Sequence, residues 1–157
     1  MFAMESNIII GTALNKHARF YLGDTTKLVN DAGKIHDMWP TSLAALGRTM
    51  AVTSVMALMQ KNEGESVTTT INGGGSIGTV LATADSEGNV KGFVGNNHLY
   101  LKYNDSNKLA VGLVVGTEGH LKVIRDLKMR NSYTTQVAIR TGEIGDDFAY
   151  YFSVSEK

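Results

Sequence analysis

The run from Thr41 to Gln60 constrains the fold more than any other stretch of this chain. It reads Thr-Ser-Leu-Ala-Ala-Leu-Gly-Arg-Thr-Met-Ala-Val-Thr-Ser-Val-Met-Ala-Leu-Met-Gln. Its length and its wealth of Ala, Leu and Met predict a helix. Turned at about 100° per residue, that helix has no polar face. Leu43 and Met50 share one side with Leu46 close by, Val52, Val55 and Met59 cover the opposite side, and Met56 and Leu58 fill much of the remainder. Such a helix is either buried all round or embedded in a bilayer. Arg48 decides against the bilayer, since a charge at that depth costs about 2.5–3.5 kcal/mol even on insertion scales. Thr41, Ser42, Thr49, Thr53 and Ser54 dilute the apolarity further. The expectation is therefore a central helix with protein on two sides and no membrane partner. Ala44, Ala45, Gly47, Ala51 and Ala57 allow neighbours to approach closely. Arg48 then requires a carboxylate or carbonyl partner, because an unpaired buried charge is expensive.

The flanking sequence supplies candidates for the two sides. Asn7 to Leu14 is β-branched and apolar, Asn15-Lys16 fits a tight turn, and Ala18 to Leu22 reads as the returning strand. Asp24, Thr25 and Thr26 are N-cap candidates for a helix to about His36, with Leu28, Val29, Ala32 and Ile35 on one face. Trp39-Pro40 breaks the chain before the central helix. After it the period changes to two. Strands are predicted over 66–72, 79–84, 90–94, 109–115, 120–127 and 133–140, with 99–103 extended, and a short helix is predicted from about Asp146. The order of elements gives an α+β fold. The arrangement expected is a β/α/β three-layer sandwich, with a buried central helix (about 41–60) between antiparallel sheets.

The chain has 157 residues, enough for a single domain with a real core, and its 43% apolar content is that of a globular protein. Its formal net charge is zero, which removes the main electrostatic reason to expect nucleic acid. It contains no cysteine, so disulfides and thiolate metal sites are excluded. Met1 to Asn7 carries Glu5 and no basic stretch, so no secretory signal is expected.

Motifs with chemical potential have ordinary structural explanations. Gly73-Gly74-Gly75-Ser76-Ile77-Gly78 matches G-x-G-x-x-G, and a small-molecule or phosphate-binding domain using Gly73 to Gly78 is the alternative function. That fingerprint requires a helix after the loop, and here a strand is predicted. Asp85, Glu87 and Asn89 imitate the start of a calcium loop, but position twelve is Asn96 and the glycine falls two places early. His17, His36, His98 and His120 show no metal-binding spacing. Lys122, Arg125, Lys128 and Arg130 are basic, yet Lys122 and Arg125 belong on opposite faces of a strand. Glu143, Asp146 and Asp147 suit the start of a helix, where acids complement the dipole. No nucleophile–base pair is legible, so no catalytic, cofactor-binding or metal residue is assigned and an enzyme is not expected.

Several blocks, in collinear order over nearly the whole chain, carry a resemblance. They are His36-Asp37-Met38-Trp39-Pro40-Thr41-Ser42-Leu43-Ala44-Ala45-Leu46-Gly47-Arg48-Thr49, the triple glycine through Ile77-Gly78, and Asp85 to Val94. They continue with Val115-Gly116-Thr117-Glu118-Gly119, Asp126-Leu127, Tyr133 to Val137 and Gly142 to Phe152, ending in Ser155-Glu156-Lys157. Together they resemble the N-terminal domain of the thirty-three-kilodalton heat-shock protein family, the redox-regulated holdase chaperones. The resemblance implies a cytoplasmic, stress-response, ATP-independent chaperone that binds unfolding client proteins and is active as a dimer. It also implies a C-terminal domain holding zinc through four cysteines, whose oxidation to disulfides releases the zinc and exposes client-binding surface. This chain departs by lacking cysteine, by Ser76 where the family often has proline, and by the missing glycine between Tyr133 and Val137. Residues 1–157 are thus expected to be one N-terminal client-binding domain, truncated where the family continues with further strands. An open sheet edge and a tendency to form homodimers or swapped oligomers follow. Individual client-contact residues are not assigned by the sequence.

Overall fold

A computed structural model describes residues 7–60, 62–127 and 132–155. The expectations placed on Met1 to Ser6, on Lys61, on Lys128 and Arg130, and on Glu156-Lys157 lie outside these residues. Strands β1 (Asn7–Ala13) and β2 (Ala18–Asp24) form an antiparallel hairpin with Ile9 opposite Leu22 and Gly11 opposite Phe20. Asn15 and Lys16 make its turn with φ of 53° and 68°, and His17 N–H donates to the Leu14 carbonyl at 3.1 Å. Leu14 before them is left-handed as well, at φ 53°, and left-handed residues match the twist of the strands they join.

Helix α1 (Thr26–Ile35) buries Leu28 and Ala32. It ends in a Schellman turn, with Asp37 left-handed at φ 51° and Met38 N–H donating to the Gly33 carbonyl at 3.0 Å. Helix α2 (Pro40–Leu58) follows at once, with proline at its start, where a missing N–H costs nothing. Its first free amides are met by a remote segment. Trp39 N–H donates to the Asn97 carbonyl at 2.8 Å, and Thr41 N–H to the Leu99 carbonyl at 3.0 Å. The Thr41 hydroxyl donates to the Leu101 carbonyl at 2.9 Å and accepts the Leu101 amide at 2.8 Å, while the Ser42 hydroxyl donates to the Asn96 carbonyl at 2.8 Å. Two of the five hydroxyl residues that weakened the membrane reading, Thr41 and Ser42, are thus the sutures of the helix start.

Strands β3 (Ser66–Asn72), β4 (Val80–Asp85), β5 (Val90–Val94), β6 (His120–Asp126) and β7 (Tyr133–Ala138) form an antiparallel sheet in the order β5-β4-β3-β6-β7. Helix α2 lies across one face of this sheet, chiefly over β4. Leu46, Met50 and Met56 are fully buried with Val67, Ile71, Val80 and Ala82, and each large side chain so buried contributes about 1.5–3 kcal/mol. On its other side α2 meets α1 and, near Val55, the end of the hairpin at Gly23. A Cβ on Gly47 would lie 2.7 Å from Val29, so glycine here is what lets α1 close on α2. The fold is α+β with antiparallel sheets, as expected, and the layer opposite the large sheet is shared by α1 and the two-stranded hairpin.

Two segments differ from the sequence reading. Residues 109–115, expected as a strand, hold the short helix α3 (Val111–Val115). Val111, Val114 and Val115 are buried while Leu113 is exposed, a helical and not an alternating pattern. Tertiary hydrogen bonds override the β-preference of valine, since the Val114 and Val115 carbonyls accept from Ile77 and Gly75 N–H at 3.0 Å each. Residues 99–103 form only an isolated bridge, Lys102 to Leu109, because the Leu99 and Leu101 carbonyls already serve α2. Helix α4 (Gly145–Ser155) packs against β6 and β7.

Candidate functional site

The glycine loop is not a phosphate cradle. The Gly75 and Ile77 amides donate to Val115 and Val114, Gly78 N–H donates to Gly75, and Gly74 N–H donates to the Asn72 side chain. Strand β4, not a helix, follows. A Cβ on Gly73 or Gly75 would meet the backbone of 114–116 at 2.1 and 2.2 Å, so glycine is needed there for backbone packing. The alternative function built on this loop therefore loses its geometric basis.

The other candidates are likewise occupied. The Asp85 carboxylate accepts Glu87 N–H at 2.9 Å and Asn89 N–H at 3.0 Å, closing its own hairpin turn. Partial burial opposes ionisation there, but the bonds from Asn89 and Glu87 outweigh it and hold Asp85 below the usual carboxylate range. Among the described residues no group of three His, Asp or Glu side chains is placed to hold a metal. His98 lies against the Trp39 ring, with centroids 5.0 Å apart, and within 3.3 Å of Asp37. Lys122 and Arg125 sit on opposite faces of β6, as their spacing predicts, and so do not form one patch.

The three acids divide into separate roles. Asp147 is buried and accepts Arg140 N–H at 2.7 Å, Thr141 N–H at 3.0 Å and Ile144 N–H at 3.0 Å, so it clamps the loop before α4. Asp146 accepts the Thr141 hydroxyl at 3.2 Å. Glu143 does not cap the helix. It accepts Arg48 Nη1 at 3.0 Å, Gly112 N–H at 3.2 Å and the Tyr103 hydroxyl, and Lys108 Nζ lies 3.5 Å away. Its burial favours the neutral acid, yet the bonds from Tyr103 and Arg48 prevail and hold its carboxyl below the usual range. The same bond to Glu143, with burial, raises the Tyr103 phenol. Arg48 has found both kinds of partner that its position demands, a carboxylate and, at 3.1 Å, the Glu143 carbonyl.

What remains without an internal explanation is apolar surface. On the β1–β2 hairpin, Ile9 is 63% exposed, Leu22 64%, Phe20 45%, and Leu14 at the turn 76%. Ile9, Leu22 and Phe20 share one face by register, and the Phe20 ring lies across Gly11. The Gly23 side of the hairpin is the side turned to Val55, so the Ile9 face points away from the protein. Among the described residues β1 and β2 pair only with each other. The sequence signal was available in Ile8-Ile9-Ile10. An unbroken apolar run makes both strand faces apolar, and a two-stranded hairpin covers only one. A second exposed cluster, Trp39, Tyr100 and Leu101, flanks the start of α2.

The model of the Hsp33 protein family matches residues 6–157. The chain belongs to the Hsp33 family. It is 46% identical over 154 residues to the 33 kDa chaperonin of Alkaliphilus metalliredigens, covering 98% of this chain and 53% of that relative. It is 43% identical over the same length to the 33 kDa chaperonin of Clostridioides difficile, with the same coverage. The crystal structure of the Hsp33 homolog of Thermotoga maritima matches with a TM-score of 0.89 at 32% identity, covering 99% of this chain and 52% of that one. The chain spans about half the length of the curated relatives it matches. Hsp33 is a chaperone family.

Proposed function

We propose that this chain is the client-binding part of an ATP-independent holdase, and that it captures unfolding proteins on exposed apolar surface. The observation that carries the reading is the unpartnered hairpin face of Ile9, Phe20 and Leu22 with Leu14 at its tip. A patch of this kind marks an interaction site. Covering the exposed part of each of these side chains contributes about 1–2 kcal/mol, before the cost of ordering the client is subtracted. Binding needs no nucleotide and no catalytic group. It is also reversible and tolerant of sequence, as a holdase requires. The open edges of the hairpin suit pairing with a second copy, which supports a homodimer. A cytoplasmic location and redox control accord with the family. The zinc that the resemblance implies does not fit the residues present, since the chain has no cysteine.

The test is light scattering of a chemically unfolded client diluted into buffer with and without the chain. Suppression of aggregation is expected, and Ile9→Ser with Leu22→Ser is expected to abolish it while leaving the thermal midpoint almost unchanged. Undiminished suppression by the double variant would remove the hairpin from the reading. Failure of this chain to suppress aggregation would remove the holdase function.

A further inference from the structure

Between α1 and α2 runs an open groove of about 630 Å³, separate from the Ile9 face of the hairpin. Its walls are apolar along most of its length, with Met38, Pro40 and Leu43 at one end and Val29, Ala44 and Gly47 in the middle. The other end is polar and is formed by Thr25, Thr26, Arg48 and Ala51. Arg48 reaches Glu143 through Nη1 alone, and its side chain is 37% exposed. The rest of its guanidinium fork has no partner among the described residues. The Thr25 hydroxyl has none either, whereas the Thr26 hydroxyl and amide both donate to the Asp24 carboxylate. The helix that begins at Thr26 has no acid in its first turn.

The groove therefore joins an apolar trough to an end where no acid lines the wall and the free side of the Arg48 fork is the cationic donor. From Pro40 to Ala51 along α2 is roughly 16 Å at the helical rise per residue. That matches about five residues of extended chain. We propose that this groove binds an extended apolar segment of a client protein whose acidic side chain, at one end of the segment, meets Arg48. The inference rests on the holdase reading for the origin of the segment and adds to it a polarity. Apolar side chains enter between α1 and α2, and the carboxylate accepts from the free side of the Arg48 fork. A guanidinium already half-paired keeps its orientation, so little further ordering is needed to receive a second carboxylate. Preference for an acidic flank follows from charge, and tolerance of the apolar residues follows from the shallowness of the trough.

The experiment uses the chain itself and two fluorescein-labelled probes, a leucine-rich five-residue core closed by aspartate and the same core closed by asparagine. Fluorescence anisotropy is expected to give at least about fivefold tighter binding of the aspartate probe. Ala51 lies at the Arg48 end of the groove and takes no part in the Glu143 contacts. Ala51→Glu is expected to erase the preference and Ala51→Lys to enlarge it, the two side chains being similar in length and opposite in charge. Equal affinity for the two probes overturns the proposal, as does a loss common to both Ala51 variants. Displacement of the aspartate probe by decanoate at comparable affinity assigns the groove to a lipid and also overturns it. Light scattering separates the two readings. Aggregation suppressed without any contrast between probes leaves the holdase standing and removes the groove. A clear contrast without suppression keeps the groove as a peptide site and removes the holdase.

Discussion

Arg48 Nη1 donates to both the carboxylate and the main-chain carbonyl of Glu143, at 3.0 and 3.1 Å, and so ties the middle of α2 to the loop that enters α4. Glu143 carries the same tie onward to Tyr103 and to the amide of Gly112 in α3. One carboxylate thus joins segments separated by up to 95 positions in sequence. Glu143→Gln keeps the shape and removes the charge. The substitution is expected to lower unfolding free energy by roughly 1.5–3 kcal/mol, the range for a hydrogen-bonded charge that leaves its partners wanting. Urea denaturation followed by circular dichroism measures it. A change under about 0.5 kcal/mol would mean that water replaces the carboxylate without cost.

The acid side of the stability profile follows from the same residue. Glu143 and Asp85 are both held below the usual carboxylate range. The unfolded chain then binds protons at higher pH than the folded one. Their stabilisation is fully present above the unfolded values and is lost as pH falls through the folded ones. Tyr103 acts at the other end. Its phenol is raised above 10.0, so its contribution is present below that pH and lost as pH rises through the folded value. Urea midpoints are expected to fall below about pH 4.5 and again above about pH 10. The acid limb should be shallower in Glu143→Gln. An acid limb of unchanged slope in that variant would assign acid sensitivity to other groups.

Thr53 on α2 and Thr69 on β3 face each other, both fully buried, and their hydroxyls share a hydrogen bond. Thr53 also donates to the Thr49 carbonyl at 2.7 Å. Thr69→Val removes one side of a buried pair, and Thr53→Val leaves the Thr69 hydroxyl without its partner. Each single change is expected to cost about 1–3 kcal/mol, and the double change less than the sum, because two apolar groups of the same shape need no partner. A double-mutant cycle from urea melts gives the coupling, and strict additivity would contradict a shared hydrogen bond.

Much of this arrangement was legible in the sequence because it depends on local pattern and on charge. The helix at Thr41 to Gln60 announced itself by having no polar face, and Arg48 announced a partner by being charged within it. The identity of that partner was not legible. Glu143 sits where acids commonly start helices, and only the tertiary path of the chain shows it facing α2. The α3 segment reads as a strand because Leu109 to Val115 is apolar and carries three valines, and strand preference describes the fit of side chains to a pleated surface, not the backbone itself. Carbonyls needed by Gly75 and Ile77 decided it instead. The apolar hairpin face lay in plain view as Ile8-Ile9-Ile10, but whether a third layer covers that face is a property of the assembled fold.

Glycine supplies the last contrast. Gly75 stands where a Cβ would lie 2.2 Å from the Val114 carbonyl oxygen, a backbone atom that moves only with α3. Gly145 opens α4 with nothing within 4 Å of its would-be Cβ and without a left-handed φ. The same substitution should therefore have opposite signs at the two sites. Gly145→Ala is expected to stabilise by about 0.4–1 kcal/mol, by restricting the unfolded chain and favouring the helix. Gly75→Ala must displace α3 or the 72–78 loop and is expected to cost more than about 2 kcal/mol, in the range of overpacked cores. Thermal melts of the two variants against the parent decide the matter. An increase for Gly75→Ala would show that the contact of the glycine loop with α3 is loose, and with it the packing that excludes phosphate from that loop.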